Sequence, residues 1–274
     1  MPELPDLEIV AQFLNRQLAG ATIEAAQVPK PIVVRDLTGG GFVARLAGQR
    51  VEAVSRRGKF LLFELDSGDW LVVNAMRSGR LRYLAPGQAT VGKPFLVLRF
   101  ADGAGLQYSD PDTMGKVYLT PALEWVPTFA TLGPEALDPE LTLAAFAERL
   151  RRRRGEIKGV LTNPTFVAGI GNAYADEILF RAGVYPFRKS PSLSEDEVRR
   201  IYEGMRTVLQ EAVNILRERV GDEIHVEIRD FLQVHGRGGQ PCPRCGNPIS
   251  RITARRRLTN FCRKCQPGTM IGNR

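Results

Sequence analysis

The residues best placed for chemistry open the chain: Met1-Pro2-Glu3-Leu4-Pro5. Pro2 is small enough for routine removal of the initiator methionine, which leaves a secondary amine at the terminus beside the carboxylate of Glu3. A terminal α-amine titrates at roughly 8, against about 10.4 for a lysine, so a useful fraction holds a free lone pair near neutral pH. Such an amine attacks an electrophilic carbon to form an iminium intermediate, and an adjacent carboxyl moves the protons. The dipeptide also has a structural reading, because a proline in the first turn of a helix loses nothing by lacking an N–H. Pro5 suits that role better than Pro2.

Cys242-Pro-Arg-Cys245 and Cys262-Arg-Lys-Cys265 are two CxxC pairs separated by 16 residues. Each pair presents two thiolates to one ion, and the stretch between them suits a β-hairpin carrying both. Four thiolates close a tetrahedron, so the expected metal is one structural zinc ion; two disulfides or an iron–sulfur cluster are the alternatives. Between the pairs, Arg255, Arg256 and Arg257 lie near the expected hairpin tip. Arginine grips phosphates bidentately, although a run of this kind is also read as a solvated charge cluster.

Gly169 through Glu177 is a glycine-rich turn entering a helix, where the backbone can approach an anion closely. Asn172 is placed to cap that helix and to donate to a phosphate; a plain tight turn is the simpler reading. Lys158 and the arginines of 149–154 are expected along the same phosphate track. Lys59 is read as the start of a strand, of interest only if it converges on the N-terminus.

The elements that must position these residues change character along the chain. Leu7, Val10, Leu14 and Leu18, widened by Ile9 and Phe13, predict an amphipathic helix from Pro5 to about Leu18, with Gly20 in the glycine position beyond its end. Short β-rich segments follow near Thr22–Gln27, Val51–Ser55, Lys59–Leu65, Trp70–Ala75, Leu81–Leu84, Phe95–Phe100 and Val117–Thr120. No helix of useful length separates them, which predicts an antiparallel sandwich or barrel. Residues 121–139 hold four prolines and no period, and are read as a linker. Helical signals then cover about Leu141–Arg154, Ile157–Leu161, Ala173–Ala182 and Ser194–Val220, the last opened by a Ser194/Glu197 capping box. The predicted architecture is α+β and multidomain: an N-terminal β-sandwich with a leading helix over 1–120, a helical domain over 140–230 and a zinc ribbon over 231–274.

Charge points to the partner. Residues 231–274 contain nine Lys/Arg and no acid, leaving 38 − 9 = 29 basic against 30 acidic residues elsewhere. Excess positive charge confined to one short segment is the footprint of a polyanion, most often nucleic acid. No apolar run is long enough for a bilayer span. No secretory signal is visible, and four cysteines in such a chain indicate metal chemistry before disulfides.

In combination these pieces resemble the formamidopyrimidine-DNA glycosylase / endonuclease VIII family of base-excision repair. Met1-Pro2-Glu3-Leu4-Pro5-Asp6-Leu7-Glu8 is close to the family's Met-Pro-Glu-Leu-Pro-Glu-Val-Glu. Arg57-Gly58-Lys59, the Gly169–Glu177 signature of the helix–two-turn–helix element, and Leu232-Gln233-Val234-His235-Gly236-Arg237 before the zinc finger follow in family order. The resemblance implies a bifunctional glycosylase and abasic-site lyase acting on double-stranded damaged DNA as a bacterial, cytoplasmic, nucleoid-associated monomer. It assigns Pro2 as the nucleophile on C1′, Glu3 as acid and base, Lys59 and the zinc-finger Arg257 to phosphate contact and the eliminations, and Asn172 and Lys158 to backbone phosphates. Excision followed by β- and δ-elimination leaves a one-nucleotide gap.

Departures bear on the lesion. The family's Asp-Pro-Arg-Arg-Phe-Gly reads Asp110-Pro111-Asp112-Thr113-Met114-Gly115 here, placing an acid where an arginine meets the orphaned base and Met114 where an aromatic wedge stands. The family's His-Leu-Gly-Met-Ser-Gly reads Asn74-Ala75-Met76-Arg77-Ser78-Gly79, so Met76 or Arg77 fills the void. The 221–231 stretch is shorter than the loop that caps 8-oxoguanine in the purine-specific branch. An acid near the opposite strand is not expected to preserve the same choice of partner base. Oxidised pyrimidines, ring-opened purines and abasic sites are therefore comparable candidate substrates. A non-catalytic binder of damaged DNA and a zinc-ribbon RNA partner are the competing expectations.

Overall fold

The computed structural model describes residues 1–254 and 257–268, with Ala254 and Arg257 described by backbone alone. The chain forms two compact units: residues 1–131 with 213–227, and residues 132–212 with 228–274. Each has its own core.

The first unit begins with helix α1, Leu4–Leu18. Strands β1 (Ile23–Gln27) and β2 (Val34–Asp36), the short helix α2 (Phe42–Leu46), and strands β3 (Val51–Arg57), β4 (Phe60–Leu65), β5 (Trp70–Asn74), β6 (Arg80–Leu84), β7 (Leu96–Phe100), β8 (Gly105–Ser109) and β9 (Lys116–Thr120) follow. They make two sheets, ordered β1-β7-β8-β6 and β2-β9-β5-β4-β3. One core joins inward residues of both sheets with the apolar stripe of α1: Leu61, Phe63, Leu71 and Val73 from one, Leu81, Leu98, Leu106 and Tyr108 from the other, and Leu7, Phe13, Leu14 and Leu18 from the helix. This is the sandwich that the alternating segments predicted.

Three features differ from the expectation. Strand β2 pairs with β9 in parallel, so the sandwich is not wholly antiparallel. Strand β8 lay outside the predicted set because Gly105 and Gln107 break its apolar pattern. Lys59 does not begin β4 but sits in the two-residue turn after Arg57, whose register partner is Phe60. Gly58 takes the positive φ of +57° there, a conformation a glycine adopts without penalty.

The stretch read as a linker is packed at its start. Val126 is buried and Phe129 meets Phe60 edge-to-face at 5.5 Å. This covers the outer face of β4, which accounts for the continuous Phe60–Phe63 run where alternation would otherwise be expected. Residues 213–227, predicted within the helical domain, instead cluster with the sandwich unit and contribute Ile224 to its core.

The second unit holds helices α3 (Leu143–Arg151), α4 (Ile157–Leu161) and α5 (Asn172–Ala182) and the first part of α6 (Glu195–Arg219), then a hairpin of β10 (Ser250–Ala254) and β11 (Arg257–Phe261). The predicted capping box is present: Glu197 N–H donates to Ser194 Oγ at 3.2 Å, and Ser194 N–H donates to the Glu197 carboxylate at 2.8 Å. Among the described residues no helix is long and apolar enough to cross a membrane.

Candidate active site and nucleic-acid interface

Pro2 and Glu3 are both buried at the start of α1. Glu3 is the helix cap, in a reciprocal capping box with Asp6 in which Glu3 N–H donates to the Asp6 carboxylate at 2.8 Å. That arrangement satisfies exposed N–H groups of the first turn and fixes how the chain enters the helix. Leu4, fully buried, anchors the entry. The shorter Asp6, standing where the family carries glutamate, is sufficient to close the box.

Pro2 and Asp6 line a small cavity of about 30 Å³ with Arg80, Glu227 and apolar side chains that include Leu61, Leu81 and Ile224. The terminal ammonium, on Met1 in this chain, lies 3.4 Å from Glu227 Oε1. The same carboxylate ion-pairs with Arg80. Removing Met1 moves the charged nitrogen one residue back, to Pro2. Sequence reasoning named neither Arg80 nor Glu227, which are 147 residues apart. The one available signal was a single acid following the apolar Ile224 and Val226.

The turn carrying Lys59 is tied to the same helix. Glu8 on α1 accepts from Arg56 Nε at 2.9 Å, and Arg56 Nη1 donates to the Gly58 carbonyl at 3.0 Å. Arg56 is nearly buried, so this pair is shielded more than a surface one. Lys59 itself is half-buried.

The two loops suspected of entering DNA meet each other. Ser78 Oγ donates to Asp110 Oδ1 at 2.5 Å, and Asp112 N–H donates to Ser78 Oγ at 3.0 Å. Gly115 N–H donates to the other Asp110 oxygen at 2.6 Å. Beneath both loops lies the fully buried Tyr108, whose phenol is raised above its usual range by burial first and by Asp110 second. A Cβ added at Gly79 would come within 2.4 Å of Tyr108 Oη, and one at Gly115 within 1.9 Å. Both glycines are therefore required for close approach. Met76 (φ +47°) and Thr113 (φ +55°) hold left-handed conformations, uncommon for any non-glycine residue and most of all for the β-branched Thr113, and such outliers gather at functional loops. Arg77 and Met114 are exposed, Met76 is half-buried, and Arg77 reaches Asp112 at 3.9 Å.

In the second unit the expected phosphate contacts are differently employed. Gly171, not Asn172, is the cap of α5. Asn172 Nδ2 donates to the Leu258 carbonyl at 2.8 Å. Lys158 is 5 % exposed, and its Nζ reaches Asp176 Oδ1 at 2.6 Å, the Leu258 carbonyl at 2.7 Å and Thr259 Oγ1 at 3.0 Å. Its ammonium donates to the Leu258 carbonyl and Thr259 Oγ1 and ion-pairs with Asp176, so in this structure Lys158 serves as an internal brace. Asp176 completes the junction through His235 Nδ1 at 2.8 Å and Asn260 N–H at 3.1 Å. Its neighbour Glu177 accepts N–H groups of Gln233, Val234 and His235. Burial pushes the Glu177 carboxyl up, and those three N–H groups pull it back.

This junction grips β11 one residue after Arg257, whose backbone pairs with Ala254. The Arg257 side chain, Arg255 and Arg256 lie outside the described residues. Beyond the hairpin, the sulfurs of Cys242, Cys245, Cys262 and Cys265 lie within 4.8 Å of one another. Separations of 3.8 Å (Cys242–Cys265) and 3.4 Å (Cys245–Cys262) are far beyond the roughly 2.05 Å of a disulfide and suit a shared tetrahedral ion. Burial first, then the neighbouring thiols, push the Cys265 thiol up to about 12. A divalent cation reverses that preference by ligating thiolates. The donor set fits one structural zinc.

Residues 1–117 match the family model for the formamidopyrimidine-DNA glycosylase N-terminal domain. Residues 132–223 match that for its H2TH domain, and 239–268 the zinc finger found in FPG and IleRS. The chain is 37 % identical to a formamidopyrimidine-DNA glycosylase of Heliobacterium modesticaldum, over 97 % of this chain and 100 % of the relative. For that of Geobacillus kaustophilus the identity is 36 %, with the same coverage. Among solved structures it is similar to MutM (Fpg) of Thermus thermophilus: TM-score 0.85, 33 % identity, 97 % of this chain and 98 % of that one. It is also similar to Lactococcus lactis Fpg in complex with DNA containing an abasic site: TM-score 0.87, 31 % identity, 97 % and 100 % covered.

Proposed function

We propose a function for this chain from one premise: it belongs to the formamidopyrimidine-DNA glycosylase family. It is a bifunctional DNA glycosylase and abasic-site lyase. The observation that carries the reading is the buried Pro2, which lines a cavity with Asp6, Arg80 and Glu227 and is followed in the chain by the buried Glu3. With Met1 removed, the Pro2 nitrogen attacks C1′ of an extruded nucleotide, the C1′–N bond to the base breaks, and the base leaves with a proton. The resulting aminal loses the amine proton to Glu3, and the C1′–O4′ bond then opens with O4′ taking up a proton, which leaves an iminium joining protein and ring-opened sugar. Loss of a 2′ proton then breaks the C3′–O bond, and a second elimination breaks C5′–O. Glu3 moves these protons, and we assign Lys59 and Arg257 to the flanking phosphates.

The nearby Glu227 carboxylate favours the cationic iminium over the neutral amine. The price is that it also favours the protonated amine, so attack needs a base to take that proton, and Glu3 is the nearest candidate in sequence. Extruding the nucleotide costs a few kcal/mol, least for a damaged or unpaired base. Zinc, when bound, supplies structure to the ribbon and no chemistry.

Borohydride reduction on DNA containing an abasic site tests the reading. Processed wild type is expected to form a covalent adduct, and Pro2→Gly to lose most of it. Absence of an adduct from processed wild type, with DNA still bound, would leave a damaged-DNA binder in its place.

A further inference from the structure

A groove of about 660 Å³ opens between helix α3 and the start of α6, lined wholly by residues of the second unit. The apolar arc of α3 is wider than the part it buries. Phe146 and Leu150 are buried, and Phe146 packs on Phe166 and Tyr202 with ring centroids 5.2 and 5.6 Å apart. Leu143, Ala144 and Ala147 carry the same arc out into the groove, where Leu143 is an exposed large apolar side chain. The other wall is Pro191, Leu193 and Val198. Both walls are fixed. Ser190 N–H donates to the Gly155 carbonyl at 2.9 Å and Ser190 Oγ to the Arg153 carbonyl at 2.7 Å, which ties the 190–193 segment to the end of α3. Tyr202 Oη donates to the Leu141 carbonyl at 2.9 Å, which ties α6 to the residues just before α3. The hollow is therefore preformed, and the short side chains of Ala144 and Ala147 leave it open.

The charge around this apolar hollow is one-sided. Residues 141–160 and 186–200, which carry the walls and their flanks, hold ten Lys/Arg against five Asp/Glu. Most of those acids are already matched. Glu148 serves both Arg151, at 2.8 Å, and Arg152, at 3.1 Å, and both guanidinia stay largely exposed. Asp196 likewise pairs with Arg199 and Arg200, and Glu197 with Arg188. Arg152 first, and Arg151 second, hold the Glu148 carboxyl below its ordinary range. Arg151 belongs to the lining itself, where Glu195 is the one acid.

We infer that this groove docks a short segment of a partner protein, whose apolar side chain fills the hollow while flanking Asp or Glu residues meet Arg151 and Arg152. An apolar anchor in a preformed pocket supplies affinity, and complementary charge at the rim selects the partner and its register. Phosphates alone gain nothing from walls of leucine, alanine, proline and valine, so the arginines by themselves do not make this a nucleic-acid site. The surplus of arginine excludes a basic segment. The inference adds a protein-docking site to the proposed function and does not rest on the chemistry at Pro2.

The test uses the full-length, zinc-loaded protein and three fluorescein-labelled peptides of equal length. One has a Leu/Phe core flanked by Asp and Glu, one the same core flanked by Lys, and one the acidic flanks around an Ala core. Fluorescence anisotropy is expected to show saturable binding of the first, about tenfold or more tighter than either control and weaker as salt rises. Ala147→Trp fills the hollow and removes that binding, while DNA affinity and the borohydride adduct stay at wild-type levels. Ala144→Trp does the same from an exposed position, should the first variant lose stability. Equal binding of the three peptides, or binding of none, overturns the inference. Displacement of the peptide by an undamaged duplex, with weaker DNA binding in Ala147→Trp, overturns it in favour of a DNA contact. A concentration-dependent dimer that Ala147→Trp dissolves overturns it in favour of a second copy of this chain. Failure of the Pro2 reading shows separately, as wild type that binds the peptide but gives no borohydride adduct.

Discussion

The starts of α1 and α5 place the same residue types side by side and use them in opposite ways. At α1, Glu3 and Asp6 cap the helix, and Asp6 lines a cavity with Pro2, Arg80 and Glu227. At α5, Asp176 and Glu177 are buried and surrounded by Lys158, His235, Asn260 and three backbone N–H groups. Both regions are polar, and both looked functional in the sequence. The difference is what the groups face: Asp176 and Glu177 are closed in by partners within the fold and hold the scaffold together, whereas Asp6, Arg80 and Glu227 line a cavity.

The largest expected effect sharpens that contrast at its scaffold end. Cys262→Ser, or removal of the metal with a chelator, removes the ion that joins the two CxxC pairs. Structural zinc contributes on the order of 10 kcal/mol in small modules. Order in the hairpin and DNA affinity should both be lost, and metal analysis of wild type should give one zinc per chain. Retained affinity in the metal-free chain would separate the ribbon from DNA binding.

Next in size is Asp176→Ala, which strands the Lys158 ammonium in a buried site. Breaking a buried pair from one side costs about 3–5 kcal/mol, read by urea unfolding. Lys158→Met distinguishes brace from ligand: stability should fall while the salt slope of DNA binding stays unchanged. A slope lower by about one would restore the phosphate role. Gly115→Ala is expected to cost about 1–3 kcal/mol by overpacking against Tyr108 and to disturb the paired loops. The smallest effect on stability belongs to Arg77→Ala. Its contact with Asp112 is long and exposed, so the change should be about 0.5 kcal/mol or less. Its influence is instead expected in a cleavage panel over four partner bases; an unaltered preference would remove Arg77 from lesion reading.

Local signals survived the passage from sequence to structure. The α1 stripe, the Ser194/Glu197 box and the cysteine spacing are each set within a few residues, so neighbours in the chain fix them. What failed to show depends on distant partners. Strand β8 was hidden because Gln107 breaks its apolar pattern, and hydrogen bonds of its amide to the Val91 backbone and Ser109 Oγ make that burial tolerable. Lys158 was assigned to DNA because lysines are rarely buried, and the partner that permits burial, Asp176, sits on another helix. The pairing of Arg80 with Glu227 spans half the chain and carries no local mark. Residues 213–219 are the last two turns of α6, so nothing in their helical pattern reveals that they cluster with the sandwich.

Burial of Pro2 also constrains when the protein matures. Met1 remains 40 % exposed, but the peptide bond following it enters a closed helix entry beside the fully buried Leu4. A peptidase must draw an extended strand into its own cleft, and the folded terminus offers none. On the proposed mechanism, methionine excision is therefore expected on the nascent chain, ahead of sandwich assembly, and folded protein that keeps Met1 is expected to give no borohydride adduct.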